Sequence, residues 1–255
     1  MLFKKRAELI LDLLDQEQTI AIQKMVDELG VSESTIRRDL ITLEESGKLR
    51  RIHGGATSVH ELGTEKRMAQ KEKINLEAKQ SVAQFAATQI HPDNQIFVDA
   101  GTASLELVRY LPNNKNLKIV TNGIDHALLA VKRGIEVELL GGTVNPSTHA
   151  IANITAYKQL ERMNFNFAFI GMNGIHEDKG LTTTNIEEAL LKELAMNQSQ
   201  NSRILMDDSK INEVYAYQVN SSSQTIVLLN EKAESKFKNE LDKIREHYDL
   251  MIIKD

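Results

Sequence analysis

The sequence predicts two domains: a small helical domain closed by a β wing, and a larger α/β domain on a mainly parallel sheet. Three observations carry this reading. Residues 1 to 56 hold short amphipathic helical stripes and then a strand of basic and apolar residues. From residue 76 to 255, apolar runs of strand length alternate with helical stripes, the pattern of repeated βα units. Between them, residues 57 to 75 contain Gly63 and many charged residues without an apolar stripe, which predicts a linker.

In the first domain, Phe3, Ala7, Ile10 and Leu14 form one helical stripe. Ile22, Met25, Val26 and Leu29 form a second, which stops at Gly30. Ser32 is placed to cap a third helix, with Val31 and Ile36 at the spacing of a hydrophobic staple. Ile36, Leu40 and Leu43 then share one face, which leaves Ser34, Arg38 and Glu45 opposite, flanked by Thr35, Arg37 and Thr42. Gly47 suits a left-handed C-terminal cap. Lys48, Arg50, Arg51 and His53 follow, alternating roughly with Leu49 and Ile52 until Gly54-Gly55 ends the strand.

Three short helices and a basic hairpin make a winged helix-turn-helix, whose second turn-helix element reads the major groove of double-stranded DNA. The DNA-contact candidates are Ser34, Thr35, Arg37, Arg38, Lys48, Arg50, Arg51 and His53. The plainer alternative is a helical hairpin with a solvated basic face; the capped helix, tight turn and basic wing together argue against it. Residues 1 to 56 carry nine Lys and Arg against ten Asp and Glu, a balance of −1, so what would meet the phosphates is the local basic cluster and not the domain total.

With 255 residues and 41% hydrophobic residues, the chain can bury a sizeable core in its larger domain. It has no cysteine, hence no disulfide framework or thiolate metal site. Lys4, Lys5 and Arg6 are followed by Glu8, Asp12 and Asp15, unlike a secretory signal, and no apolar run reaches membrane-spanning length. A soluble, cytoplasmic protein with no membrane partner is expected. The seven histidines lack paired metal spacing, and neither a Walker loop nor G-x-G-x-x-G occurs, so no metal and no cofactor is predicted. A net charge of −5 does not suit a nucleic-acid packaging protein.

The larger domain begins with the helical stretch LEAKQSVAQFAATQI and alternates through the strands IFVDA, KIVTN, VELLGG, FAFIG, RILMD, TIVLLN and MIIK. The helical stretches LELVRYL, HALLAVKR, AYKQLERM and IEEALLKELAM lie between strands, and a long charged helix is expected from Glu231 to about His247. Five strands run into small polar groups: Asp99 to Ser104, Thr121 to Gly123, Gly141 to Thr143, Gly171 to Gly174 with Asn173, and Asp207 to Lys210. In an open parallel sheet these ends share one edge, where ligands bind.

Gly101 permits a tight turn, while Thr102 and Ser104 bring hydroxyls to the free N–H groups of a helix start, a setting for phosphate. Lys210 adds a cation, and Asp99, Asp207 and Glu187 or Glu188 can accept hydrogen bonds from hydroxyls. A phosphorylated sugar is the simplest ligand that fits. For Asp207 and Lys210 the plainer alternative is a surface ion pair of little consequence.

These motifs resemble those of the DeoR family of bacterial transcriptional repressors over nearly the whole chain. V-S-E-S-T-I-R-R-D-L and L-E-E-S-G-K-L-R-R-I-H-G-G-A resemble the family's DNA-binding signature. V-D-A-G-T, V-T-N, L-L-G-G-T, F-I-G-M-N-G, G-L-T-T and D-D-S-K resemble its sensor landmarks. The resemblance implies a C-terminal domain with the fold shared by ribose-5-phosphate isomerase and CoA transferases, a phosphorylated sugar as effector, and assembly as a homodimer or homotetramer. It places Thr35, Arg37 and Arg38 on DNA. It places Asp99, Gly101, Thr102, Asn122, Gly141, Gly142, Asp207 and Lys210 at the effector, with Lys79 as a candidate phosphate contact.

Two departures from the family pattern bear on the phosphate geometry: Ala103 stands where a second threonine is usual, and Met172-Asn173-Gly174 replaces T-N-G. Fructose-, tagatose- and galactose-derived phosphates are the effector candidates. The alternative function is a sugar-phosphate isomerase-like enzyme with an appended DNA-binding domain; the recognition-type helix counts against it, and no catalytic residue is assigned.

Overall fold

The computed structural model describes residues 2–17, 19–46, 48–52, 54–58, 68–112 and 116–254. The chain divides into two compact units, residues 1–61 and 62–255.

In the first unit, α1 (Phe3–Glu17), a short β1 (Thr19–Ala21), α2 (Ile22–Leu29) and α3 (Glu33–Glu45) precede β2 (Leu49–Ile52) and β3 (Gly55–Ser58). The three predicted stripes meet in one core of Ile10 and Leu14 from α1, Met25 from α2, and Ile36, Leu40 and Leu43 from α3. Gly30 ends α2 at φ 62°, a backbone region glycine enters without penalty, and its N–H bonds to Val26 O at 2.9 Å. Ser32 stands at the N-cap of α3, but its hydroxyl lies against those of Ser34 and Thr35; its carbonyl takes the Thr35 N–H instead, at 2.9 Å.

The wing strands pair antiparallel, and β1 adds to the far side of β3 in the order β1-β3-β2. Three residues are too few to show an alternating pattern, so β1 is invisible in the sequence. Gly55 has a backbone reason: a Cβ there would lie 2.3 Å from Ile20 O. Leu49 is buried, whereas Ile52 is 40% exposed, so of the two apolar positions in β2 one joins the core. A partly buried ion pair, Arg6 Nε to Asp39 at 2.6 Å, joins α1 to α3. Gly47 and His53 lie outside the described residues, as does the side chain of Arg50.

The second unit runs α4 (Met68–Lys73), α5 (Leu76–Thr88), β4 (Gln95–Val98), α6 (Thr102–Tyr110), β5 (Lys118–Thr121), α7 (Ile124–Lys132), β6 (Glu136–Leu139), α8 (Ile154–Leu160) and β7 (Phe165–Gly171). It continues with β8 (Gly174–His176), β9 (Gly180–Thr183), α9 (Ile186–Asn197), β10 (Ser199–Leu205), a 3₁₀ turn at Asp208–Lys210, β11 (Tyr217–Val219), β12 (Thr225–Asn230), α10 (Lys232–Lys236), α11 (Lys238–Ile244) and β13 (Asp249–Ile253).

Seven strands form a parallel sheet in the order β13-β12-β10-β7-β4-β5-β6. Helices cover both faces. Val82, Leu107 and Ala130 of α5, α6 and α7 pack on one side with Ile96 and Ile119, while Leu160, Ala195 and Leu241 of α8, α9 and α11 pack on the other with Phe97 and Ile204. The chain places β5 and β6 on one side of β4 and then returns to place β7 on the other. The switch point therefore lies between β4 and β7, and ligands of open parallel sheets bind at its carboxyl side. Among the described residues, no helix is long and apolar enough to cross a membrane.

Three features differ from the expectation. Residues 68–73, inside the predicted linker, form α4, whose residues are mostly polar, with Met68 buried, and so show no stripe. The expected helix from Glu231 to His247 is two helices, broken at Phe237 (φ −130°, ψ 36°), whose ring packs on the core. A second, antiparallel sheet β11-β9-β8 is assembled from segments of three or four residues, too short to register as strands.

Candidate functional site

At the switch point, Asp99 ends β4 with its N–H on Phe169 O at 2.9 Å, linking β4 to β7. Its carboxylate accepts from the Gly171 N–H at 3.0 Å and from Lys192 Nζ at 2.5 Å, and Asp99 and Lys192 are both buried. The two strand ends approach so closely that a Cβ on Gly101 would lie 3.3 Å from Gly171 Cα. Ser104, fully buried, donates to Asp99 O at 2.5 Å and accepts the Gly101 N–H at 3.0 Å. Asn122 Oδ1 accepts the Ala100 N–H at 2.9 Å. The Asp99–Ser104 loop is thus fixed from within. The first N–H groups of α6, at Thr102, Ala103 and Ser104, have no acceptor inside their helix and form a ready site for an anion.

His126 completes this scaffold: Nε2–H donates to Gly101 O at 2.9 Å, and Nδ1, packed under Gly123, has no partner. Burial pushes its pKa down to about 4, although the Gly101 carbonyl pulls the other way. The unfolded chain therefore takes up a proton before the folded one does. Stability is lost as pH falls from about 6.5 through 4, amounting to about 2 kcal/mol by pH 5. Denaturant unfolding at pH 7 and pH 5 should show His126→Gln less stable than wild type at pH 7 but losing less on acidification; an equal loss in both proteins would contradict this.

The strand-end edge is crossed by α4. Met68 N–H bonds to Ser147 O at 3.0 Å in the loop beyond β6, and Asn75 Nδ2 donates to Asp207 Oδ1 at 2.8 Å beyond β10. Asn75 itself adopts φ 51°, which asparagine tolerates better than most residues. Lys79, on α5, donates to Ile74 O at 2.6 Å and to Lys71 O, so it clamps the end of α4.

Four lysines meet here. Burial lowers the Lys71 pKa to about 7, assisted by the like charges of Lys210, Lys192 and Lys79 and opposed by Glu188. Burial likewise lowers Lys79 to about 8, with Asp207 opposing and Lys210 assisting. Burial raises Glu188, with Lys192 and Lys71 opposing. Because an unfolded lysine keeps its ordinary value near 10.5, these two lysines make folding more favourable as pH rises from about 7 towards 10.5. Asp207, also buried, further accepts from Ser209 N at 3.0 Å and Ser209 Oγ at 2.5 Å, so it shapes the turn that presents Lys210 and is no surface ion pair.

Of the residues expected at the effector, the structure brings together Lys79, Asp99, Gly101, Thr102, Ser104, Asn122, Asp207 and Lys210. Their roles differ: Ser104 and Asn122 brace the loop, and Lys79 holds backbone. Gly141 and Gly142 follow edge strand β6 and face α8, where Gly141 N–H bonds to Gln159 at 2.8 Å and a Cβ on Gly142 would meet Asn153. Asn173 accepts from Thr183 Oγ1 at 2.8 Å and ties β9 to the end of β7. Glu187 is exposed; Glu188, one position on, faces the lysines. The sequence reading missed Lys71, Lys192, Asn75 and His126. Lys192 had a signal, a cation at i+4 from Glu188 on an amphipathic helix; Lys71 had none.

On α3, Ser34, Arg37 and Arg38 are exposed and Thr35 is half-buried. Arg37 pairs with Glu33 at 2.6 Å, whereas Arg38 makes no side-chain hydrogen bond among the described residues. In the wing, Lys48 and Arg51 are exposed, and Arg51 Nε reaches Glu44 at 2.6 Å.

The description "DeoR-like helix-turn-helix domain" matches residues 6–62, and "DeoR C terminal sensor domain" matches residues 74–232. The chain belongs to the DeoR family of transcriptional regulators. It is 37% identical to the uncharacterized HTH-type transcriptional regulator FruR of Bacillus subtilis over 84% of this chain and 85% of that one. It is 33% identical to the lactose phosphotransferase system repressor of Lactococcus lactis, covering 81% of this chain and 82% of the relative. A solved ribose 5-phosphate isomerase A from Methanocaldococcus jannaschii aligns over 55% of this chain and 56% of its own, at 16% identity and a TM-score of 0.41. Helix α4 falls between the two regions that match the DeoR family descriptions.

Proposed function

We propose that this DeoR-family chain is a transcriptional repressor of a sugar uptake or catabolism operon, released or engaged by a phosphorylated sugar bound at the carboxyl edge of the β4–β7 crevice. The observation that carries the effector reading is the mutual proximity of Lys71, Lys79, Lys192 and Lys210, of which Lys192 reaches Asp99 in the loop that leads into α6, since clustered ammonium groups and the N–H groups of a helix start together favour a phosphoryl anion. The name of the lactose phosphotransferase system repressor agrees with a sugar-linked operon.

Double-stranded operator DNA is read by α3, through Arg38 foremost, with Ser34, Thr35, Arg37 and the wing residues Lys48, Arg50, Arg51 and His53 beside it. One small winged helix offers little contact area, so two or more copies act together on a repeated or two-fold site. The isomerase-like alternative needs a free carboxylate as base. Asp99 is held by Lys192 and the Gly171 N–H, and Asp207 by Asn75 and Ser209, which leaves neither poised for that role.

The test is a binding cycle. Sugar phosphates that shift the melting temperature are titrated against the protein with and without operator DNA. By linkage, a sugar phosphate that changes operator affinity by some factor must have its own affinity changed by that factor, typically about 5–150-fold. Ligand affinity that is indifferent to operator would sink the allosteric reading, and steady isomerisation of the sugar phosphate would favour the enzyme.

A further inference from the structure

Helix α7 is apolar on both faces. Its inner face, with Ala127 and Ala130, is buried against the sheet, yet its outer face carries Leu128 and Val131, 55% and 64% exposed. Of the four large apolar side chains that are more than half exposed among the described residues, these two alone share a helix, one turn apart. Ile124, four positions before Leu128 and half-buried, extends the same stripe. Helix α7 packs beside β6, the edge strand of the sheet. There Leu139, on the same sheet face as Val137 of the α5–α6–α7 core, is left 40% exposed. Single exposed leucines are ordinary on a soluble surface, whereas a helix that is apolar all round belongs in a buried setting.

The charges beside the stripe select what covers it. Asp125 and Lys132, three positions before Leu128 and four after it, fall on one flank of the helix at opposite ends. A two-fold axis at Leu128 sets two copies of α7 antiparallel and brings Lys132 of each against Asp125 of the other on that shared flank. A parallel pair would set like charges together. Lys132 makes no side-chain hydrogen bond or ion pair among the described residues, and Asp125 bonds to His149 through Oδ2 only, so both are open to such a contact. Strand pairing across the edge is less suited to a second copy: Glu136 and Glu138 share one face of β6, and antiparallel pairing of two β6 strands would set glutamate opposite glutamate. The same glutamates make the edge a poor surface for nucleic acid or an anionic membrane.

We propose, resting on the reading above that two or more copies act together on the operator, that a second copy of this chain docks on α7, antiparallel to it about Leu128. Leu128 and Val131 of both copies form the dry centre of the contact, and a Lys132–Asp125 pair closes each end.

The experiment uses the full chain, sedimentation over a range of concentrations with and without operator selected from random-sequence DNA, and circular dichroism as a check of folding. Wild type should sediment as a dimer or larger. Leu128→Lys, Lys132→Glu and Asp125→Lys should each associate with themselves at least about tenfold more weakly, since in a two-fold contact every substitution acts twice. An equimolar mixture of Lys132→Glu and Asp125→Lys should recover association to within about threefold of wild type, because the mixed pair sets acid against base at both ends while each variant alone sets like charges together. A mixture that associates no better than either variant alone would overturn the proposal, and this pair decides the matter even where Leu128→Lys does not fold. Variants that all assemble within about twofold of wild type would overturn this contact and leave the two-copy reading standing. A wild type that is a monomer both alone and on operator would remove that reading, and this inference with it.

Discussion

Replacing Arg38 with alanine is expected to weaken binding of the full chain to its operator by about 5–150-fold, or ~1–3 kcal/mol, and to leave thermal unfolding unchanged. Arg38 lies on the exposed face of α3, opposite the buried Ile36, Leu40 and Leu43, and makes no competing side-chain bond among the described residues. An unengaged guanidinium near the start of a recognition helix can make a bidentate contact to guanine without first breaking a pair. Arg37 must leave Glu33 before it can do the same, so Arg37→Ala should cost less, and Glu33→Gln should tighten binding slightly. Operator selected from random-sequence DNA by the wild type, titrated by fluorescence anisotropy at several salt concentrations, separates the two roles. An arginine that touches a base edge sets sequence preference, so its removal relaxes that preference. An arginine that touches a phosphate does not, and its removal weakens binding to all sequences and lowers the salt slope by about one. Unchanged affinity in Arg38→Ala would remove α3 from the DNA interface.

The neighbouring Asp39 illustrates how far the sequence could be read. The stripe of Ile36, Leu40 and Leu43 placed the core face of α3 correctly, because helical period is a local property of the chain. That Asp39 is buried and paired with Arg6, thirty-three positions away, follows from how α1 crosses α3, which no local pattern contains. The sensor unit behaves in the same way. Strand ends at Asp99, Asn122 and Asp207 were legible because apolar runs stop there, and a parallel sheet forces those ends to one edge. Which side chains face the ligand was less legible. Ser104 was expected to offer a hydroxyl, yet it turns inward onto Asp99 O and Gly101 N. Glu187 and Glu188 are adjacent in sequence, and only the helix register of α9 decides that the second meets Lys192. Lys71 was hidden inside a linker because a six-residue helix whose apolar residues are the adjacent Met68 and Ala69 carries no periodic signal; its place is set by hydrogen bonds at both ends of α4.

Lys192 and Lys210 sit in one lysine cluster, yet substituting them should give opposite phenotypes. Lys192 is the ammonium partner of Asp99 at 2.5 Å, and both side chains are less than a tenth exposed. In Lys192→Met the Asp99 carboxylate stays buried with the Gly171 N–H and loses its counter-charge, which typically costs ~3–5 kcal/mol. For a unit of this size that corresponds to a fall of roughly 6–20 °C in the melting of the sensor unit. Adding Asp99→Asn should recover much of this loss, because the double variant buries no unpaired charge, and the coupling in that cycle measures the pair. Lys210, by contrast, is half-buried on a turn held by Asp207 and makes no ion pair among the described residues. Lys210→Met should therefore unfold like wild type and still bind operator, while its response to sugar phosphate is abolished. Paired measurements of unfolding and of effector-dependent operator binding decide between these roles. A Lys210→Met protein that melts as low as Lys192→Met, or that responds normally to effector, would show that the cluster is a structural charge network and no anion site.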